Sequence, residues 1–227
     1  MKIAITRLAE KGESDQEICS QYGHTPVFVH PLHAEYNASL ANRFVIAANQ
    51  GEFDAIFFTS AYPAKKLAPL LDRSALKNTR VIAIGPETQC TLHESGIITE
   101  ILPSFYSKSL VPYLGAWIEG KSVGIPRADV PNSSLISSIE DAGGIVYEYR
   151  VYKLLPTNEI LNLDGCDAVL FTSSSSFTKA RLPNISGIRK LAIGEITAEA
   201  MRKAGVEPDV VGNGSLEGTL QNLENVI

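Results

Sequence analysis

Two stretches of this chain end an apolar run on the same small, polar turn: "DAIFFTSAYPAKKL" at 54–67 and "DAVLFTSSSSFTKA" at 167–180. Thr59, Ser60 and Ala61 in the first, and Thr172, Ser173 and Ser174 in the second, stand where a strand-like run gives way to a helical one. Small side chains let backbone N–H groups come close to a ligand. A serine there can cap the helix while the positive end of the helix dipole faces an anion. Gly85 and Gly194 mark the same kind of edge one strand along, each followed three residues later by a threonine, Thr88 and Thr197. Taken singly, each Ser or Thr is equally well a plain N-cap. Taken as two copies of two loops, they suit both walls of one cleft that holds an anionic small molecule.

Other chemistries lack their residues. No G-x-G-x-x-G follows the first apolar run, and no G-x-x-x-x-G-K-[ST] occurs anywhere. "FTSSSSF" is not a G-x-S-x-G nucleophile elbow. "IAITRLAE" offers Thr6 and Arg7 where a phosphate receiver would need carboxylates. His30 and His33 flank Pro31 on an irregular stretch, a poor metal pair, and no metal or cofactor is expected. The net charge of -5 comes with Lys and Arg spread along the chain, which argues against a basic face for nucleic acid. No apolar run approaches a membrane span, and "MKIAITRLAE" is too weakly apolar for a signal peptide. A cytoplasmic protein is expected. Cys19, Cys90 and Cys166 are odd in number and far apart, so buried free thiols are expected rather than disulfides.

The elements that must position these turns repeat as well. "IAIGPETQCTLHESGI" at 82–97 resembles "LAIGEITAEAMRKAGV" at 191–206, and "KIAITR" resembles "SVGIPR". Arg7 thus pairs with Arg127, Ser60 with Ser173 and Gly85 with Gly194, at offsets of 120, 113 and 109 positions. A unit of half the chain is a duplication, not a solenoid. Short runs rich in Val, Ile and Phe fall near 2–6, 26–30, 55–59, 80–84, 98–102, 122–125, 145–151, 168–172, 190–193 and 208–211. Helical stretches such as 86–95, 132–142 and 195–204 lie between them, several with Gly just past the end. The alternation predicts an α/β protein of two flavodoxin-like domains with parallel five-stranded sheets.

The quoted segments, in this order and spacing, together with "GIPRADVPNSSLISSIEDAGGIVYEYRVYKL" and "SLEGTLQNL", resemble the uroporphyrinogen-III synthase family over nearly the whole chain. The resemblance implies an enzyme of tetrapyrrole biosynthesis without a cofactor. Its substrate would be hydroxymethylbilane, a linear tetrapyrrole with eight carboxylates, closed with inversion of the last ring and loss of water. It would be a lyase. Tyr152 in "YRVYKL" matches the family's tyrosine, placed to help the hydroxyl leave. Ser60, Ala61, Thr88, Ser173, Ser174 and Thr197 match cleft-lining positions, and Arg7 and Arg127 would meet substrate carboxylates. Tyr147 and Tyr149 do not match and are expected to pack. The chain departs from the family where Ala61 and Ser174 replace a frequent Pro, and where "ADVPNSS" follows Arg127 in place of a Gly and a basic residue.

A tandem reading of the repeat would divide the chain near 117. The resemblance implies instead a crossover, with domain 1 from 1–33 plus 154–227, an inserted domain 2 at 37–150, and a two-stranded hinge at 31–37 and 150–156. The active site would lie in the interdomain cleft, with Tyr152 on the hinge. The expected state is a free-standing monomer in transient contact with the preceding deaminase, and no nucleic-acid or membrane partner is expected. Two other readings stay open: a non-catalytic two-lobed small-anion binding protein, and a synthase-like domain of a regulatory polypeptide.

Overall fold

The runs "AIFF" at 55–58 and "AVLF" at 168–171 are buried at every position, as strands covered on both faces must be. The computed structural model describes residues 1–8 and 13–226. Along the chain come β1 (Lys2–Thr6), α1 (Glu13–Gln21), β2 (Thr25–Val29), β3 (Leu32–Tyr36), α2 (Ala38–Asn49), β4 (Ala55–Phe58) and α3 (Ala61–Leu67). Next are β5 (Arg80–Ala83), α4 (Pro86–Glu94), β6 (Glu100–Ile101), α5 (Leu110–Leu114), β7 (Ser122–Ala128) and α6 (Ser133–Asp141). The last third holds β8 (Ile145–Pro156), β9 (Ala168–Phe171), α7 (Ser174–Thr178), β10 (Arg189–Ala192), α8 (Glu195–Lys203), β11 (Val210–Val211) and α9 (Leu216–Glu224).

The chain divides into two compact units, Met1–Ala34 with Leu155–Ile227, and Glu35–Leu154. It passes between them twice, inside β3 and inside β8. The first sheet is ordered β11-β10-β9-β1-β2 and the second β3-β8-β7-β4-β5-β6. Pairings β1–β2, β1–β9, β9–β10, β10–β11, β4–β5, β4–β7, β5–β6 and β7–β8 are all parallel. The repeat explains the two orders. If β7 is the counterpart of β1, β8 of β2, β4 of β9, β5 of β10 and β6 of β11, both sheets share one spatial order. In the second, the chain enters at the third strand and returns to the first two later.

One expectation is corrected: the second sheet has six strands, not five. Segment 32–36, expected only as part of the connection at 31–37, has "LHAEY" in extended form and joins the second sheet beside β8. Its Pro31 lies just outside the strand, where a missing N–H costs no ladder bond. A second correction concerns Cys90, which is exposed, whereas Cys19 and Cys166 are buried. The buried residues of α4 are Thr88 and Leu92; position 90 falls on the opposite side of the helix.

Local signals start and stop the helices. Asn37, Asn132 and Ser215 accept from the amides of Leu40, Leu135 and Gly218, capping α2, α6 and α9. Gly96 and Gly205, repeat partners, follow α4 and α8 with φ of 72° and 76°, a left-handed turn that favours glycine.

In the first unit, Ile3, Ile5, Ala168, Leu170 and Leu191 pack with Leu216, Leu220 and Leu223 of α9. Across the same sheet, Ala4, Val169, Phe171 and Ala192 meet Phe177 and Met201. In the second unit, Ala55, Phe57, Ile82, Val123 and Ile125 pack with Leu135 and Ile139 of α6. Elsewhere in that unit, Phe44 lies within 6.3 Å, centroid to centroid, of the rings of Phe53, Phe58 and Tyr149. Tyr147 and Tyr149 both pack on Phe53, as expected of them. Gly124 sits in mid-strand because a Cβ there would lie 2.8 Å from the Phe53 ring. Gly124→Val is therefore expected to destabilise the fold by about 1–3 kcal/mol through overpacking, read as a lower urea midpoint at unchanged slope.

Candidate active site

In the second unit the site is built on an irregularity in β8. Residues of β7 and β8 pair one to one from Ser122↔Ile145 to Arg127↔Arg150, and then Ala128 pairs with Tyr152. Val151 is the extra residue of a bulge, and it resets the alternation. Gly124, Pro126 and Ala128 share one face of β7, so their partners Tyr147, Tyr149 and Tyr152 share one face of β8. Without the bulge, Tyr152 would point to the other side. The amide of Asp129 donates to the Tyr152 carbonyl at 2.7 Å and fixes the strand there.

Tyr152 is 5% exposed. Its ring lies 4.6 Å from that of Tyr62, tilted by 48°, and its hydroxyl is 3.1 Å from Ser60 Oγ. Burial pushes the phenol above its ordinary value of 10, against a smaller downward pull from the Ser60 hydrogen bond. A phenol so placed is neutral at physiological pH and carries one proton to donate. Two residues singled out in the sequence, 92 positions apart, are in direct contact.

The counterpart turn in the first unit uses its groups differently. Ser60 and Ser173 cap α3 and α7 with nearly the same backbone, φ and ψ of -168° and 159° against -165° and 159°. Ser173 Oγ accepts from the amide of Ser176 at 3.0 Å, and Ser176 Oγ accepts from the amide of Ser173 at 3.1 Å, closing a capping box. Thr6, fully buried at the end of β1, ties this turn to the sheet. Its hydroxyl lies 3.1 Å from the Leu170 carbonyl and 3.0 Å from Ser176 Oγ, and it accepts from the Thr172 amide at 3.0 Å. The Ser60 side chain makes no capping bond.

The remaining sequence candidates fall as follows. Thr88 and Thr197 are each 3% exposed in the first turns of α4 and α8. Gly85 and Gly194 are the N-caps of those helices, and the ring of Phe105 would come within 3.3 Å of a Cβ on Gly85. Ala61 is buried and Ser174 half-buried, each the first residue of its helix. Arg7 donates from Nε to Asp15 at 2.5 Å and from Nη2 at 3.1 Å. Arg127, 6% exposed, donates to Glu148 at 2.6 Å and to the Val130 carbonyl at 2.7 Å. Both guanidiniums are engaged by the chain's own oxygens. The sequence reading missed Thr6, Tyr62, Pro63, Asp15 and Glu148. The repeat offsets carried a signal for two of them, since they set Thr6 against Pro126 and Ser176 against Pro63.

Among the described residues no group of three or more His, Cys, Asp or Glu side chains is gathered to hold a metal. His30 Nδ1 lies 2.9 Å from the Arg7 carbonyl. No described helix is long and apolar enough to cross a membrane.

Comparison with known proteins bears on what these parts do. The family described as uroporphyrinogen-III synthase HemD matches residues 13–221 of this chain. The chain belongs to the uroporphyrinogen-III synthase family. Among its relatives, the uroporphyrinogen-III synthase of Chlorobaculum parvum is 26% identical over 181 residues, spanning 70% of this chain and 74% of that one. A solved mutant uroporphyrinogen III synthase from Thermus thermophilus superimposes with a TM-score of 0.65 at 22% identity, covering 99% of this chain and 96% of its own. The uroporphyrinogen-III synthetase of Helicobacter pylori gives 0.64 at 16% identity over the full length of both. The α/β fold is thus that of known synthases of this family, whose members are enzymes of porphyrin and tetrapyrrole biosynthesis acting on a small molecule.

Proposed function

We propose that this chain is a uroporphyrinogen-III synthase, a cyclising lyase that converts hydroxymethylbilane to uroporphyrinogen III and water. The hydroxyl of the linear chain leaves with a proton as water, giving an azafulvene. The substituted carbon of ring D attacks it to form a spiro intermediate, which fragments and recloses with that ring inverted. Tyr152 donates a hydrogen bond to the departing oxygen; the observation that carries this role is its buried, neutral phenol held against Ser60 in a member of this family. Selection of the attacking carbon comes from how the site folds the substrate, a matter of orientation.

In this reading the two units are flavodoxin-like domains. Their shared strand order, which reads 2-1-3-4-5 when numbered by the repeat, supports it. The domains would close on the substrate through a hinge at the two passages in β3 and β8, since two strands are all the chain that joins them. Amides at 60–62, 85–88, 174–175 and 195–196 would receive the carboxylates at these helix N-termini, those of Thr172 and Ser173 being taken by Thr6 and Ser176. Arg7 and Arg127 act here as braces through Asp15 and Glu148 rather than as contacts.

The turn geometry carries a prediction. Ser60 has the extended ψ that a residue before proline requires, and Ala61 is a first helical position, where proline is preorganised. Ala61→Pro is expected to raise stability by about 0.4–1 kcal/mol and, because it removes one amide of that turn, to weaken product binding by no more than the one hydrogen bond that amide makes, about 0.5–1.5 kcal/mol. Calorimetry and product titration check both halves.

The reaction itself is tested by incubating the protein with freshly made hydroxymethylbilane, oxidising the product and separating uroporphyrin I from III. Type III is expected. Type I alone, formed at the rate seen in buffer, would leave the non-catalytic anion-binding reading in its place.

A further inference from the structure

The duplicated turn supplies a control within the molecule. In the first unit the Ser173 hydroxyl is held by the Ser176 amide, and Ser176 Oγ is held in turn by the Ser173 amide and by Thr6. The repeat places Pro63 opposite Ser176 and Pro126 opposite Thr6. Neither proline has a hydroxyl, and Pro63 lacks the very N–H that Ser173 uses. Ser60 and Ser173 themselves have nearly the same backbone angles, so what sets their hydroxyls apart is the side chains and amides around them. Where Ser173 caps its helix, Ser60 makes no cap and lies 3.1 Å from the Tyr152 hydroxyl.

A phenol has one proton. If Tyr152 gives it to Ser60, none is left for a departing hydroxyl. If Ser60 donates to the phenol oxygen, the phenol proton is turned outward. We propose that Pro63 and Pro126 are positioning residues: Pro63 denies Ser60 the amide that its counterpart accepts from, and Pro126 stands where Thr6 braces that capping box, so that the Ser60 hydroxyl donates to Tyr152 and orients the phenol proton toward the substrate. The proposal rests on the reading of Tyr152 as the donor, and it extends that reading to residues outside the Ser60–Tyr152 pair. The packing agrees with it. Pro63 directly follows Tyr62, whose ring packs against Tyr152, and Pro126 pairs with Tyr149 on the same face of β7 and β8.

The test restores the partners. Pro63→Ser with Pro126→Thr gives the second unit the groups that hold Ser173, and Pro63→Ser alone supplies the capping amide if the pair does not fold. Each is compared with Ser60→Ala in the full-length chain carrying tyrosine labelled with 13C at Cζ, the Tyr152 signal being the one absent in Tyr152→Phe. The Tyr152 signal is expected to move in the same direction in the proline variants as in Ser60→Ala. Formation of type III is expected to slow about two- to tenfold in each, the scale of one hydrogen bond. In the Tyr152→Phe background the same changes should slow it no further. A Tyr152 signal that moves in Ser60→Ala but stays put when the prolines are replaced would overturn the proposal. So would a signal unmoved by Ser60→Ala, because the Ser60–Tyr152 contact would then be absent in solution. If the signals move as expected while Tyr152→Phe turns over at the wild-type rate, the positioning stands and the role given to the tyrosine falls.

Discussion

Replacing Tyr152 by phenylalanine is expected to cut turnover by roughly ten- to a thousandfold, the scale of one positioned donor or general acid. The ring keeps its contact with Tyr62, so stability should change little beyond the loss of one hydrogen bond to Ser60. Product affinity should hold, because product no longer has the hydroxyl that the phenol assists. Residual activity is expected, since the substrate loses that hydroxyl slowly without help. The pH dependence follows from the direction of the shift. Burial raises the Tyr152 value above 10, so the phenol keeps its proton at every lower pH. The ratio of wild-type to Phe-variant rates should therefore stay level from neutrality to about pH 9 and fall only as the phenol ionises. A fall that begins near neutrality would mean that the phenol ionises there, and the upward shift would be wrong.

The largest effect on stability outside the apolar core is expected for Thr6→Val. The change keeps shape and volume, and what it removes is the hydroxyl at the centre of the first unit's turn. The Thr172 amide and Ser176 Oγ both lose Thr6 as a partner, in a region where Thr6 itself is fully buried. Ser176 Oγ keeps its bonds to Ser173, so the Thr172 amide is the group that loses its acceptor, and a loss of about 1–3 kcal/mol, the cost of one buried polar group left without a partner, is expected. That is a large share of the 5–15 kcal/mol that holds a typical domain folded. Chemical denaturation of the variant measures it. A loss below about 0.5 kcal/mol, the scale of an ordinary surface substitution, would show that water or a local shift replaces the hydroxyl.

The alternation of strands and helices was legible because it is carried by local composition: apolar runs of four to six residues, glycines past helix ends, small residues at strand ends. The duplication was legible because side chains at turns are constrained by backbone geometry, and Ser60 and Ser173 do share that geometry. That 32–36 joins the second sheet as a sixth strand was not legible. Its "LHAEY" has too few apolar residues to mark a strand, and it is extended because a neighbour accepts it. The contact of Ser60 with Tyr152 was also out of reach, since it depends on a bulge at Val151 that no local pattern announces. Arg7 and Arg127 show the same limit from the other side. Their pairing with Asp15 and Glu148 comes from the fold and is announced by no local pattern.

The central claim is a division of labour, with the tyrosine assisting departure and the fold of the bound substrate choosing the isomer. Its most direct test is to measure rate and isomer composition together, for the wild type and Tyr152→Phe, on the same preparation of hydroxymethylbilane. The wild type should give type III quickly, and the variant type III slowly, with type I rising only as far as the uncatalysed closure competes. Type I as the main product of the variant at an undiminished total rate would contradict the claim and make Tyr152 the residue that steers the ring.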